Sequence, residues 1–198
     1  MKHVPNALSA IRIVVTPILI WLLSVGGFAA YAWALTLFVL ASISDWLDGR
    51  LARRFRAKTR IGQFLDPFAD KVLVLGTFIT LSVLMPERIA WMAVALLALR
   101  DLAVTGLRSW MESKGRSLTT RGSAKLKTAA QLTFLITLLT ALAVSEGGAT
   151  FIGPGLADFA RAALDSAALI WVLWIVVGVT LITGFQYFLD VRHDDPSA

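Results

Sequence analysis

Six apolar runs, separated by short joints, leave few folds open to this sequence. They extend from Ala7 to Gly26, Phe28 to Ser44, Gly62 to Met85, Ile89 to Trp110, Ala124 to Val144 and Leu164 to Phe188, each 17 to 25 residues long. A helix rises about 1.5 Å per residue, so roughly 20 apolar residues cross the hydrocarbon core of a bilayer. The expected fold is therefore an all-α membrane protein with six transmembrane helices. Of 198 residues, 57% are hydrophobic and 16% charged, and the mean hydropathy is +0.73, far from the balance of a soluble domain. Six spans use most of the chain, so residues 1–198 read as a single transmembrane domain.

The net charge of +6 could suggest nucleic acid as a partner, but its placement indicates a membrane orientation instead. Of the 19 Lys and Arg, only Arg88 and Arg161 fall in the joints after the third and fifth runs. The other 17 lie at the termini or within and beside the even-numbered joints, which puts both termini in the cytoplasm by the positive-inside rule. Lys2 and His3 precede an apolar stretch in the manner of a secretion signal, but Pro5, Arg12 and Pro17 interrupt it. The start, "VPNALSAIR", reads instead as a short N-terminal amphipathic segment leading into the first span. After the fifth run, "SEGGATFIGPGLADFARAA" is Gly-rich and then weakly amphipathic, which predicts a turn and a short interfacial helix on the outer side. Trp171, Trp174 and Tyr187 stand near the ends of the sixth run, where a helix meets head groups.

The joint between the second and third runs, "SDWLDGRLARRFRAKTRIGQFLDPFAD", carries four acids, Asp45, Asp48, Asp66 and Asp70, with six basic residues between the two pairs. Spacings of three and four put each pair on one face if both segments are helical. The second span runs towards the cytoplasm and the third starts from it, so the pairs share a depth. Four converging carboxylates repel one another unless cations neutralise them, and hard divalent ions suit oxygen ligands. The chain has no cysteine, and its two histidines, His3 and His193, are near the ends. The donor set thus favours Mg²⁺ or Mn²⁺, and four carboxylates suit two such ions clamping a diphosphate. Gly49, Ala52 and Gly62 leave room for a bulky ligand, and Arg53 offers a fork to phosphate oxygens. Pro67 lies near the start of the third helix, where a proline is tolerated.

The spacing from Asp45 to Asp70, D-x2-D-G-x2-A-R-x8-G-x3-D-x3-D, resembles the signature of the CDP-alcohol phosphatidyltransferase family. "VPNALSAIRIVVTPILI", "FLDPFADKVLVL", "RDLAVTGLRSWMESKG" and "AKLKTAAQ" are similar to the phosphatidylglycerophosphate synthase branch of that family. The resemblance implies a six-span enzyme of phospholipid biosynthesis, usually a homodimer, in a bacterial inner or plasma membrane with its active site facing the cytoplasm. Its substrates would be CDP-diacylglycerol and sn-glycerol 3-phosphate, its products phosphatidylglycerophosphate and CMP. It further implies that Asp45, Asp48, Asp66 and Asp70 hold two divalent cations, with Asp70 as general base. Asp48, Gly49, Ala52, Arg53, Thr59, Gly62 and Asp66 would line the CDP-diacylglycerol pocket.

The acceptor must be chosen elsewhere. Arg108, Arg116, Lys125 and Lys127 flank the cytoplasmic ends of the fourth and fifth spans, and Lys71 follows Asp70. A phosphate-bearing acceptor needs such cations, although Arg116 and Lys125 serve equally well as positive-inside anchors. Arg100 and Asp101 lie about 10 Å deeper than Arg108 and are expected in a polar cavity or the bundle interior. Gln131 and Asn6 read as interhelical hydrogen-bonding residues. Within the family, an inositol phosphate or phosphatidylglycerol is the alternative acceptor. Outside it stand an intramembrane prenyltransferase and a divalent-cation transporter, although transport sites tend to lie near the membrane midplane.

Overall fold

A computed structural model describes residues 4–55, 60–113, 122–147 and 153–193, with side chains placed at 12–44, 71–111, 125–147 and 153–189. Among the described residues the fold is all-helical, with seven helices and no strand. They are α1 (Val4–Val25), α2 (Phe28–Phe55), α3 (Arg60–Leu84), α4 (Trp91–Ser113), α5 (Gly122–Gly147), α6 (Pro154–Asp165) and α7 (Ala167–His193). Two of them contain stretches long and apolar enough to cross a membrane, Lys125–Gly147 and Ala167–Leu189; shorter apolar stretches occupy Arg12–Val25, Phe28–Ser44 and Lys71–Leu84.

The boundaries differ from the sequence reading in three places. The amphipathic start is continuous with the first apolar run, in one helix of 22 residues with Pro17 inside it. The helix of the second run extends past Ser44 to Phe55, carrying positions 45 to 53 of the acidic motif. The sixth run, expected to begin at Leu164, is divided: α6 ends at Asp165 and Ser166 is extended before α7 begins. The expected short helix after the fifth run is α6, with Ala157, Ala160 and Leu164 buried at spacings of three and four.

Two consecutive glycines turn the chain from α1 into α2. Gly26 and Gly27 have φ of 71° and 83°, left-handed conformations that cost a residue with a Cβ about 1 kcal/mol or more. α1 packs most extensively on α3 and α2, α5 on α2, α6 and α7, and α4 on α7 and α3. The shared core includes Leu19, Phe38, Phe78, Leu97, Phe134 and Leu173, with the rings of Phe78 and Phe134 stacked 5.8 Å apart.

The outside of the bundle carries many large apolar side chains. Trp21, Trp33, Leu99, Phe159, Trp171, Ile175 and Phe185 are all more than 60% exposed, whereas Arg12, Thr77, Asp101, Gln131 and Thr180 are buried. Apolar surface on this scale calls for a nonaqueous partner. Hydroxyls within the apolar helices bond back to their own helix: Thr16, Ser24, Thr36, Ser42, Thr77 and Thr140 each donate to the carbonyl four residues earlier at 2.7–2.9 Å. This removes their polar cost in lipid.

Arg88 is one of the two basic residues expected outside the cytoplasm, and it ties the turn between α3 and α4 to the end of α6. Its guanidinium donates to the Asp165 carbonyl and, at 3.2 Å, to the Asp165 carboxylate. A cation there offsets the negative end of the helix.

Among the described glycines the least room for a side chain is at Gly147, where an added Cβ would lie 2.3 Å from Cδ2 of Phe28. Gly147→Ala forces the Phe28 ring, at the start of α2, out of its seat. A loss of about 1 to 3 kcal/mol is expected, the usual cost of overpacking. Thermal unfolding of the purified protein in detergent checks this; an unchanged midpoint would mean that the ring moves freely.

Candidate active site

The four acids of the motif are distributed as the spacing predicts at the level of backbone. Asp45 and Asp48 lie in α2 and Asp66 and Asp70 in α3, so each pair shares a helix at a separation of about one turn. Gly49, Ala52 and Arg53 continue on α2, and Gly62 is in the first turn of α3. The side chains at these positions, and Thr59 and Arg116 altogether, lie outside the described residues. Among the described residues no group of three or more acidic, histidine or cysteine side chains could hold a metal. An all-oxygen set of four carboxylates on two adjoining helix segments fits hard divalent cations.

Next to this motif the structure builds a polar network across α3, α4, α5 and α7. It starts at Lys71, one residue after Asp70, whose ammonium donates to Oγ1 of Thr105 on α4. The Thr105 hydroxyl donates in turn to the Asp101 carbonyl, at 2.8 Å. Asp101 is the hub. Its side chain is 4% exposed; Oδ2 accepts from Nζ of Lys127 on α5 at 2.6 Å, and Oδ1 accepts from Nη1 of Arg100 at 3.2 Å. Lys127 and Arg100 are themselves only 12% and 11% exposed.

Arg100 also reaches α7. Its Nε donates to the Thr180 carbonyl at 3.0 Å and its Nη2 to the Thr183 hydroxyl at 3.2 Å, while that hydroxyl donates to the same carbonyl at 2.9 Å. Gln131 adds a bond from α5, donating to the Thr180 hydroxyl at 3.4 Å. Gly184 makes room for this arrangement, since a Cβ there would lie 2.8 Å from Cγ and Nε of Arg100. Arg100 and Asp101 are thus residues of the bundle interior, and Gln131 makes the interhelical bond its position suggested.

The five proposed acceptor cations separate into different environments. Lys71 and Lys127 turn inward to the Asp101–Thr105 face of α4. Arg108, two turns on, and Lys125 are exposed. Arg12 is a cation whose burial the sequence did not reveal. It is 1% exposed on α1, the helix packed most extensively against α3, and thus against the helix that carries Asp66 and Asp70. A full charge inside a bundle is costly unless the surroundings compensate it, so its retention marks the interior as polar at that level.

An apolar groove of about 580 Å³ between α5, α6 and α7 is lined by residues such as Ala129, Thr133, Phe134, Leu169 and Val172. It contains none of the charged side chains above, and the polar side chains in its lining are the hydroxyls of Thr133, Thr137 and Ser166.

The signature of the CDP-alcohol phosphatidyltransferases matches residues 2–182, nearly the whole chain. The protein belongs to that family. A CDP-diacylglycerol–glycerol-3-phosphate 3-phosphatidyltransferase of Rickettsia typhi is 34% identical over 188 residues, covering 95% of this chain and 96% of the relative. Enzymes of the same name from Bacillus subtilis and Sodalis glossinidius are 32% and 30% identical, and the alignments cover 94–97% of each chain. As a member of the CDP-alcohol phosphatidyltransferase family the protein is a transferase of phospholipid biosynthesis. Membership sets aside the prenyltransferase and cation-transporter readings.

Proposed function

We propose that this phosphatidyltransferase transfers the phosphatidyl group of CDP-diacylglycerol to sn-glycerol 3-phosphate, giving phosphatidylglycerophosphate and CMP. The observation that carries the choice of acceptor is the charge of the α4–α5 interior. Among the described residues, Arg100 and Lys127 contribute two positive charges against the one negative charge of Asp101, a surplus of one in a buried cluster, with Lys71 bonded one turn away. A neutral alcohol has no use for that surplus, whereas a phosphate-bearing acceptor neutralises it. The names of relatives aligned along nearly their full length support the same reaction.

Asp45, Asp48, Asp66 and Asp70 are the residues that would hold two divalent cations, Mg²⁺ or Mn²⁺. Bound there, the ions would neutralise the diphosphate and the charge that develops on the leaving oxygen. Gly49, Ala52, Arg53, Thr59 and Gly62, together with Asp48 and Asp66, line the nucleotide side. Asp70 accepts the proton of the acceptor hydroxyl as its oxygen attacks the β-phosphorus; the bond from that phosphorus to the bridging oxygen breaks, and CMP departs. Lys127 and Arg108 hold the acceptor phosphate, with Lys71, Lys125 and Arg116 contributing positive potential around it.

In this reading residues 1–198 form one domain with six membrane-crossing helices, of which α1 to α5 and α7 are the candidates, and α6 lies along the outer interface. Both termini and the carboxylates face the cytoplasm of a bacterial inner or plasma membrane, where the water-soluble acceptor is available. The working unit is a homodimer, and nucleic acid is not a partner. The exposed apolar helix faces and the placement of basic residues support this topology.

An acceptor panel tests the reaction. Purified protein, CDP-diacylglycerol and Mg²⁺ are expected to release CMP with glycerol 3-phosphate and not with free inositol, serine or glycerol. Release that depends on an inositol phosphate or on phosphatidylglycerol instead would retain the family chemistry and replace the acceptor.

A further inference from the structure

We infer that Asp101 is a positioning residue for the acceptor site: its carboxylate holds the Lys127 ammonium where that cation meets the acceptor phosphate. The inference rests on the glycerol 3-phosphate reading above.

The donors of the two cations are committed very differently. All three nitrogens of Arg100 are engaged, Nε and Nη2 on α7 and Nη1 on Asp101. Arg100 is therefore a clamp between α4 and α7. Among the described residues Lys127 makes one bond, to Asp101 Oδ2, and an ammonium has three donors. It is thus the member of the pair with capacity for a ligand.

Lysine is a point charge on a flexible four-carbon stem, and ordering it costs rotamer entropy. A fixed acceptor on the opposite helix meets that cost before substrate arrives, and such preorganisation is worth affinity. The Asp101 carboxylate is suited to this. It is 4% exposed, its second oxygen is held by Arg100, and its own backbone carbonyl is capped by Thr105, which also receives Lys71 from the helix of Asp70. The Lys127 anchor is thereby fixed relative to both α7 and the catalytic end of α3.

Asp101 cannot itself bind the acceptor phosphate, because two anions would repel. Its effect must pass through Lys127, and this separates it from a residue that merely stabilises the bundle. The experiment measures glycerol 3-phosphate and CDP-diacylglycerol kinetics for the wild type, Asp101→Asn, Asp101→Glu, Lys127→Met and the double variant Asp101→Asn/Lys127→Met. Loss of one charge-assisted contact corresponds to roughly 10- to 150-fold in affinity. Asp101→Asn is expected to raise the KM for glycerol 3-phosphate about tenfold or more with the KM for CDP-diacylglycerol unchanged, and Asp101→Glu to recover most of it.

Asp101→Asn leaves two cations buried together and is the variant at risk of not folding. The double variant removes one charge of each sign and keeps the surplus of one, so it carries the test in that case. Its KM for glycerol 3-phosphate is expected to equal that of Lys127→Met alone. A further rise in the double variant, or an equal effect of Asp101→Asn on both substrates, overturns the positioning role. A wild type that ignores glycerol 3-phosphate overturns the acceptor assignment instead, before any variant is compared.

Discussion

Replacing Asp70 with Asn is expected to lower kcat by roughly a thousandfold, within the 10²- to 10⁴-fold that general acid–base catalysis supplies, and to leave the KM for CDP-diacylglycerol nearly unchanged. The acceptor hydroxyl is a poor nucleophile while it keeps its proton, and an amide cannot take that proton up. The other three aspartates retain most of the negative charge that would bind the cations, so donor binding survives. The position in the fold fits this role. Asp70 is one turn after Asp66 on α3 and one residue before Lys71, whose bond to Thr105 turns that side of α3 towards α4. Steady-state kinetics with each substrate varied in turn decide the matter; near-normal turnover of Asp70→Asn would assign the proton to another group.

The parts of the site legible in the sequence were those with local periodicity. The acids at spacings of three and four announced helix faces, and α2 and α3 carry them as helices. The amphipathic pattern after the fifth run announced α6, because alternation of buried and exposed positions over 12 residues is visible without tertiary information. The breaks were less legible. Ser166 interrupts an apolar run that has no Gly or Pro at the joint, so hydropathy alone carries α7 back to Leu164.

The polar network was illegible for a different reason. Arg100 meets α7 across 80 residues of chain, and Lys127 meets Asp101 across 26, so no window of sequence contains both partners. What the sequence did contain was the anomaly of Arg100 and Asp101 inside an apolar run, and lipid physics makes such a pair an interior feature. It could not say which of two neighbouring cations binds the bundle and which is available to a ligand. Gly184 gave no local sign of its role either, because the side chain it accommodates belongs to α4. Arg12, noticed only as an interruption of a signal-like stretch, is a fully buried cation on the helix against α3.

Removal of divalent cations is expected to abolish transfer altogether, with Mg²⁺ or Mn²⁺ restoring it. The physical reason begins with the motif, which brings four carboxylates on two helix segments to a substrate that itself carries a diphosphate. Unit charges about 4 Å apart interact by about 1 kcal/mol in bulk water and by about 4 kcal/mol near a protein surface, so the repulsion among these anions grows as the site closes. Arg50 and Lys71 are the basic residues nearest the acids in the sequence, and a monovalent side chain does not bridge carboxylates to a diphosphate as a divalent ion does. In the proposed reading the buried cations around Asp101 serve the acceptor. In the proposed two-metal reading divalent ions serve donor binding as well as the chemical step, and chelation is expected to remove CDP-diacylglycerol affinity together with turnover. Ca²⁺ separates these two effects. Its longer and more flexible coordination is expected to restore donor binding and not turnover, because the attacking and leaving oxygens are then held out of line. Donor binding measured by displacement of a labelled CDP-alcohol, in parallel with CMP release, distinguishes the cases: binding that persists at full strength after exhaustive chelation would mean that protein cations alone neutralise the diphosphate, and full turnover under the same conditions would remove the metals from the reaction.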